Sequence, residues 1–486
     1  MKIDNENKGD KIGEKSTSFT GGANWDTNRL SEATNGKWII PPSSPSWRAS
    51  GLCIHPPTMQ PGQMVVIRPK DKAHYVTPAA AKLLPFSPQA LIISDDDFPV
   101  EGDIPVLKVS DSRKAIINIG HYSRSQMKGK VIGVTGSSGK TTTVAMLHHV
   151  LRPWGEVGKT EHNANLPVGI AWNLASIPWG APHIVMEMAI GNMPQNSSLV
   201  QPHIAIITNI NAAHLKYHHS TEEIAKKKSK IFSKMPADGI AIANRDIKEW
   251  PIIEAEAKQN GLSLITFGQH PESNIRLVKY DPKSQHVHIT HDNKNKIKFR
   301  LGSPGIHMAM NSLACLATII ALQLDIEPAI AMLPLFKPVP GRGEMFHLSL
   351  NGKALRVIDD AYNANPASMK AAMSLIRDLP LINSSGRKIL VLGDMLELGD
   401  ESDCLHKELV PYISETKADH VLLVGDHMTN ISQEISDKNI QCTVFKDALS
   451  LKKDLFELLN DGDTVLFKSS NGVGLHKIIK EIRAIS

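Results

Sequence analysis

Cysteine is scarce in this chain: Cys53, Cys315, Cys404 and Cys442 are the only four in 486 residues, and no two stand at CxxC spacing. That excludes a disulfide framework and a zinc knuckle, and makes a reducing cytoplasm the expected setting. Aromatic residues are also few, at 5%. Long apolar runs are missing. The longest, Leu313 to Leu324, is interrupted by Thr318 and Gln323 and falls short of the ~20 residues that span a bilayer. It reads as a buried helix, and no membrane insertion is expected. Met1 to Asn24 is polar, charged and rich in Gly and Ser, without the apolar core of an export signal, and reads as a flexible tail. Neither sign of charge dominates, with 54 Lys and Arg against 49 Asp and Glu for a net +5. This is too mild for a nucleic-acid binder.

The composition that remains is 41% hydrophobic and 21% charged, an ordinary globular mixture. At roughly 100–200 residues per domain, the length implies about three domains. Residues 25–128 carry Pro-rich turns and the short apolar strands Met64–Ile67 and Ala90–Ile93, with a helical stretch near Thr77–Leu84, which suggests a small α/β domain. Residues 129–340 open on the strand Val131–Val134, a Gly-rich turn and a helix over Thr142–Leu151. The runs Ile184–Met186 and Ile204–Thr208 follow, apolar enough to be buried on both faces of a parallel sheet. Residues 341–486 alternate the strands Arg356–Asp359, Lys388–Leu392, His420–Val424 and Thr464–Phe467 with helices such as Ser368–Leu379. The fold class is α/β throughout, with doubly wound, Rossmann-like sheets.

The strongest local signal is Thr135-Gly136-Ser137-Ser138-Gly139-Lys140-Thr141-Thr142, set between a strand and a helix. Glycines let the backbone wrap a phosphate, the N–H groups of the loop and helix start face the anion, and Lys140 neutralises it. The Thr141 hydroxyl is placed to ligate Mg²⁺. The strict GxxxxGK[ST] pattern misses by one position, because Val134 stands where its first glycine belongs. Glu187 follows the strand Ile184–Met186, where a carboxylate at a strand's C-terminal end can hold a metal. His214 follows another strand end. Read alone, Lys226-Lys227-Lys228 and Lys230 form a solvated helix face.

Five ordered segments carry a resemblance: TGSSGKTTT at Thr135–Thr143, TNINAAHL at Thr208–Leu215, GRGE at Gly341–Glu344, DDAYNANPASM at Asp359–Met369 and LGDMLELG at Leu392–Gly399. Together they resemble the Mur ligase family, ATP-dependent enzymes that join a carboxylate to an amine. The similarity is greatest to the branch that acts on UDP-N-acetylmuramoyl-tripeptide and D-alanyl-D-alanine. The resemblance implies a three-domain architecture with a central P-loop ATPase domain and a C-terminal Rossmann-like ligase domain. It implies that Gly136, Ser137, Ser138, Gly139, Lys140, Thr141 and Thr142 hold the ATP phosphates, that Asn311 contacts adenine, and that Arg342 and Asp360 close onto the nucleotide. Thr141, Glu187, His214 and a CO₂-derived carbamate on Lys228 would bind Mg²⁺, or Mn²⁺ in its place. Lys140, His214 and Lys228 would carry the catalytic charge. The expected partners are a small carboxylic acid and an amine, handled by a monomer.

The first domain departs from that branch. Its uridine-binding Asp-Ser-Arg is replaced by His55-Pro56-Pro57 before Pro61-Gly62, and its Asp-Gly-His by Lys72-Ala73-His74. The Asn-rich loop is altered to Thr160-Glu161-His162-Asn163-Ala164-Asn165-Leu166. Met308, Ala361 and Asn471 stand where Asn, Ser and Arg are usual. These changes point to an amide ligase of Mur type acting on an amino acid or peptide of a specialised pathway. The alternatives are the peptidoglycan ligase itself and, more remotely, a non-catalytic nucleotide-binding regulator.

Overall fold

The computed structural model describes residues 22–55, 58–67, 87–94, 103–212, 220–350 and 352–485. The helical stretch expected near Thr77–Leu84, and most of the expected tail, lie outside the described residues. The chain divides into two compact units. One takes residues up to Gln126 together with Leu174–Trp179, and the other takes Met127–Asn173 and Gly180–Ser486.

In the first unit, the described residues form a sheet of β1 (Lys37–Ile40), β2 (Gly51–Cys53), β3 (Gln63–Val66), β4 (Leu91–Ile93) and β5 (Val106–Lys108), in the order β1-β5-β4-β3-β2. Only β1 runs antiparallel to its neighbour. Cys53, Val65, Ile67, Leu91, Ile93 and Val106 form its apolar core. Helix α1 (Thr27–Thr34) starts at Asp26, whose carboxylate accepts from the Arg29 N–H at 2.9 Å, as an N-cap should. Leu174–Trp179 belongs here because α2 (Ser112–Gln126) and Trp25 bind it. Ser123 Oγ donates to Leu174 O and accepts from Trp179 Nε1, both at 2.6 Å, and Trp25 Nε1 donates to Ala175 O at 2.9 Å.

The second unit holds two larger sheets. The central one comprises β6 (Lys130–Thr135), β7 (Val157–Lys159), β8 (His183–Glu187), β9 (Ile204–Ile207), β10 (Ile240–Asn244), β11 (Ser263–Gly268), β12 (Ile275–Asp281), β13 (His286–His291) and β14 (Asn295–Arg300). Its order is β14-β13-β12-β11-β10-β9-β6-β8-β7, parallel from β7 to β12 and antiparallel beyond. Since β6 lies between β8 and β9, successive connections leave to opposite sides and open a crevice at the strands' carboxyl ends. Helix α3 (Lys140–Val150) packs Val144, Met146, Leu147 and Val150 into the same core as α5 (Ile306–Ala321), the helix read from the longest apolar run. Between them in sequence, α4 (Thr221–Ser229) carries the lysine cluster.

The third sheet orders β15 (Glu344–Leu350), β16 (Lys353–Asp360), β20 (Thr464–Lys468), β17 (Lys388–Gly393), β18 (His420–Val424) and β19 (Gln441–Phe445), all parallel except the β15 edge. The period-two alternation of its strands feeds two cores. Ile358, Leu390, Leu392 and Leu466 face one layer, and Val357, Ile389, Val391, Val465 and Phe467 the other, as expected for strands covered on both faces.

The turn after β17 is held by a fully buried histidine. The Met395 N–H donates to His406 Nε2 at 3.0 Å, so Nδ1 carries the proton and donates to Ser402 O at 2.6 Å. Burial holds the His406 pKa below its ordinary 6.5, with Asp394 and Asp403 opposing and His427 assisting. Below pH 6.5 the unfolded chain takes up a proton that the folded one refuses, so this contribution to stability is lost as pH falls toward the folded value. Denaturant titrations should show the advantage of wild type over His406→Leu shrinking by up to about tenfold in the unfolding constant per pH unit below 6.5. A gap that does not change with pH would contradict this.

Candidate active site

Strand β6 ends in the glycine loop, and the structure explains the one-position mismatch to the strict pattern. Gly133 is inside the strand, so the loop's first glycine is Gly136. Gly136 has φ 154°, and a Cβ there would meet Thr208 Oγ1 at 1.9 Å. At Gly139, φ is 77° and a Cβ would lie 2.8 Å from Asn311 Oδ1. Neither position accepts a side chain without displacing its neighbour. The segment after β9 braces the loop from the side. Ser138 N donates to Asn209 Oδ1 at 2.8 Å, Asn209 Nδ2 donates to Ser138 Oγ at 2.9 Å, and Thr208 Oγ1 donates to Ser138 O at 2.7 Å. The Ser137 N–H donates to Asn209 O at 3.0 Å. The loop is thus a pre-formed cradle.

Two lysines and a carboxylate meet beside it. Lys140 Nζ and Lys228 Nζ both donate to the Gly136 carbonyl oxygen, at 3.0 and 2.9 Å. Glu187, the last residue of β8, is buried. Its Oε2 accepts from the Thr141 hydroxyl and its Oε1 from Asn165 Nδ2, both at 2.8 Å. Burial holds Lys228 well below its ordinary pKa of 10.5, with the Lys140 charge assisting and Glu187 opposing, and so favours the neutral amine. Burial lowers Lys140 too, against the pull of Glu187. The solvated-face reading of the lysine cluster holds for Lys226 and Lys227, which are exposed, and is corrected for Lys228, which is only 2% exposed. In α4 the buried residues are Ile224, Ala225, Lys228 and Ser229, a helical stripe that takes one lysine with it.

The Thr141 hydroxyl and the Glu187 carboxylate are hard oxygen donors, and their chemistry suits Mg²⁺ or Mn²⁺. Among the described residues there is no cluster of three His, Cys, Asp or Glu side chains that could hold a metal. A cation here would complete its shell with phosphate oxygens and water, as Mg²⁺ commonly does. His214, expected as a further ligand, lies outside the described residues.

The cradle opens into a cavity of about 680 Å³ that reaches from the central sheet to the third one. Asn311, in α5, lines it beside Gly139. Arg342 and Asp360 line it from the other side, with the Arg342 guanidinium 4.1 Å from the centre of the Tyr362 ring. Ser137, Ser138, Gly139, Lys140, Thr141, Thr142, Glu187, Lys228, Asn311, Arg342 and Asp360 therefore share one cavity. Sequence reasoning gave no role to Asn165, which binds Glu187, to Asn209, which braces the loop, or to Lys468, whose partners Asp360 and Asn363 are distant in sequence.

The family model for the Mur ligase middle domain matches residues 134–319, and that for the Mur ligase glutamate ligase domain matches residues 341–471. The UDP-N-acetylmuramoyl-tripeptide–D-alanyl-D-alanine ligase of Rickettsia prowazekii is 34% identical over 77% of this chain and 82% of its own length. The chain belongs to the Mur ligase family. The enzyme of the same name from Bacillus subtilis is 33% identical over 78% of this chain and 81% of its own. A crystal structure of MurF from Acinetobacter baumannii superposes with a TM-score of 0.79 at 25% identity, covering 96% of this chain and all of that one. The architecture is thus the three-domain Mur ligase fold, and the chain is an ATP-dependent, ADP-forming acid–amino-acid ligase. The regulator reading is set aside. Among the described residues, no helix is long and apolar enough to cross a membrane.

The burial pattern in α4 has a direct test. Steady-state ADP release should fall by orders of magnitude in Lys228→Ala and stay within about twofold of wild type in Lys226→Ala and Lys227→Ala. Equal losses at all three positions would mean that the cluster acts only through its summed charge.

Proposed function

We propose that this enzyme joins UDP-N-acetylmuramoyl-tripeptide to D-alanyl-D-alanine, the peptidoglycan ligation, as a cytoplasmic monomer. The observation that carries this is similarity to ligases of that name over more than three-quarters of the chain, together with the two family models, whose matched residues take in every segment that lines the cavity. It replaces the expectation of a specialised pathway, which rested on departures in the first domain, in the Asn-rich loop and at Met308, Ala361 and Asn471. Likeness over most of the chain outweighs the departures, of which Pro56, Pro57 and Lys72-Ala73-His74 lie outside the described residues. We place the domain limits at 128/129 and 340/341.

In this reading the loop Gly136–Thr142 binds the ATP phosphates through Lys140 and the N–H groups at the start of α3, those of Ser137 and Ser138 being held by Asn209. Asn311 contacts the base, and Arg342 and Asp360 hold the nucleotide from the third sheet. Thr141, Glu187, His214 and a carbamate on Lys228 hold Mg²⁺. When bound, Mg²⁺ neutralises phosphate charge and polarises the phosphoryl group. A carboxylate is a poor electrophile, so its oxygen first attacks the γ-phosphorus in line and ADP leaves, giving an acyl phosphate. Lys140 meets the charge that builds on the transferring group. The amine then attacks the acyl carbon, and the tetrahedral intermediate expels phosphate. The carbamate would form when the neutral Lys228 amine attacks CO₂ and loses a proton. A short carboxylic acid should then restore part of the activity of Lys228→Ala by supplying the missing oxygens.

The substrate assignment is checked by kcat/KM for the UDP-linked tripeptide with D-alanyl-D-alanine, set beside small free acids and amines. The murein pair should be preferred by at least about a hundredfold, as expected when a diphosphate handle and two peptide ends are all bound. Preference for a free acid would reinstate the specialised pathway.

A further inference from the structure

The ion pair at the far wall of the cavity is built from the last residues of two adjacent strands. Asp360 ends β16, Lys468 ends β20, and the two stand opposite each other in the parallel register. The Lys468 side chain is 2% exposed. Its ammonium group has three donors, and each has an acceptor: Asp360 Oδ2 at 2.9 Å, Asn363 O at 2.7 Å and Asp360 O at 3.3 Å. One amine therefore grips a carboxylate and two carbonyls of the turn that leads into α6 (Pro366–Asp378). That turn lines the cavity with Tyr362, Asn363 and Asn365 and carries the ring beneath Arg342.

Stability alone does not call for such a pair. Replacing a buried ion pair by apolar side chains of similar size is often neutral or stabilising. The Asp360 carboxylate still lines the cavity and is 21% exposed, and among the described residues nothing hydrogen-bonds its Oδ1. An ionised carboxylate only accepts hydrogen bonds and repels phosphate. On ATP the O–H donors are the two ribose hydroxyls, and the sugar adjoins the phosphates. Asp360, Lys468 and Arg342 line the same cavity as Lys140 and Thr141 of the glycine loop, so the pair faces the space into which a nucleotide held at that loop would extend.

We propose that Lys468 is a positioning residue for the nucleotide: it fixes the Asp360 carboxylate and the turn 361–365 so that Asp360 receives the ribose hydroxyls. This rests on the reading of Asp360 as a nucleotide contact and adds the residue that orients it. Lys468 itself need touch no substrate.

Calorimetric affinities for ATP and 2′,3′-dideoxy-ATP, measured on the full chain, test it without requiring the correct acid and amine. The functional assignment can therefore fail separately. Wild type should bind ATP about tenfold or more tightly than the dideoxy analogue, the scale of a charge-assisted hydrogen bond. Lys468→Met should bring that ratio close to one, as should Asp360→Asn. Because Lys468→Met leaves a carboxylate uncompensated, the double variant Lys468→Met/Asp360→Asn guards against misfolding. It should keep the wild-type melting temperature within a few degrees and still show no preference for ribose. A purely structural Lys468 would leave the ratio unchanged in Lys468→Met. A ratio that persists in Lys468→Met or in the double variant, or a wild type with no preference, would overturn the proposal.

Discussion

The carbonyl oxygen of Gly136 accepts hydrogen bonds from two lysines, Lys140 of the loop and Lys228 of α4, and the rest of the site is arranged around that shared contact. It requires a glycine backbone at 136, because any side chain would collide with Thr208. It requires α4 to turn a lysine inward, at a desolvation cost that pushes the amine toward its neutral form. It also calls for a nearby carboxylate, which Glu187 supplies from the end of β8 while hydrogen-bonded by Thr141 and Asn165. Cationic and anionic groups are thus concentrated on one wall of the cavity, held by the end of β8 and by helices α3 and α4.

Much of this was legible in the sequence where the signal is local. Apolar runs such as His420–Val424 are strands because both faces are covered, and the glycine loop with its following helix is recognisable within about eight residues. The antiparallel extension β12–β14 was not read. Strands such as Asn295–Arg300 bury little beyond Phe299 and show lysines to solvent, so their alternation resembles a charged loop. The inward turn of Lys228 was written in the 3.6-residue spacing of Ile224, Ala225, Lys228 and Ser229, but the surrounding lysines masked it. Lys468 gave no local sign. An ammonium at the end of an apolar strand ordinarily reaches solvent, and here Asp360 and Asn363, 108 and 105 residues away in sequence, keep it inside.

The cavity draws on two sheets of the second unit: the central sheet supplies the glycine loop and the Glu187 carboxylate, and the third supplies Arg342, Asp360 and the turn braced by Lys468. Such a division suits a reaction whose acyl phosphate must be shielded from water, since groups on separate layers can enclose it once nucleotide bridges them. Family membership fixes the reaction class, and the chemistry at the acid's carbonyl is what distinguishes it from other ATP-driven couplings.

The most direct measurement follows oxygen through the reaction. With both oxygens of the acid's reacting carboxylate labelled with ¹⁸O, turnover with ATP should place one label in the released inorganic phosphate and leave the other in the new amide carbonyl, because an acyl phosphate passes its bridging oxygen to phosphorus. Label appearing in AMP, or unlabelled phosphate released alongside amide product, would contradict phosphoryl transfer to the carboxylate and with it the account of the site given above.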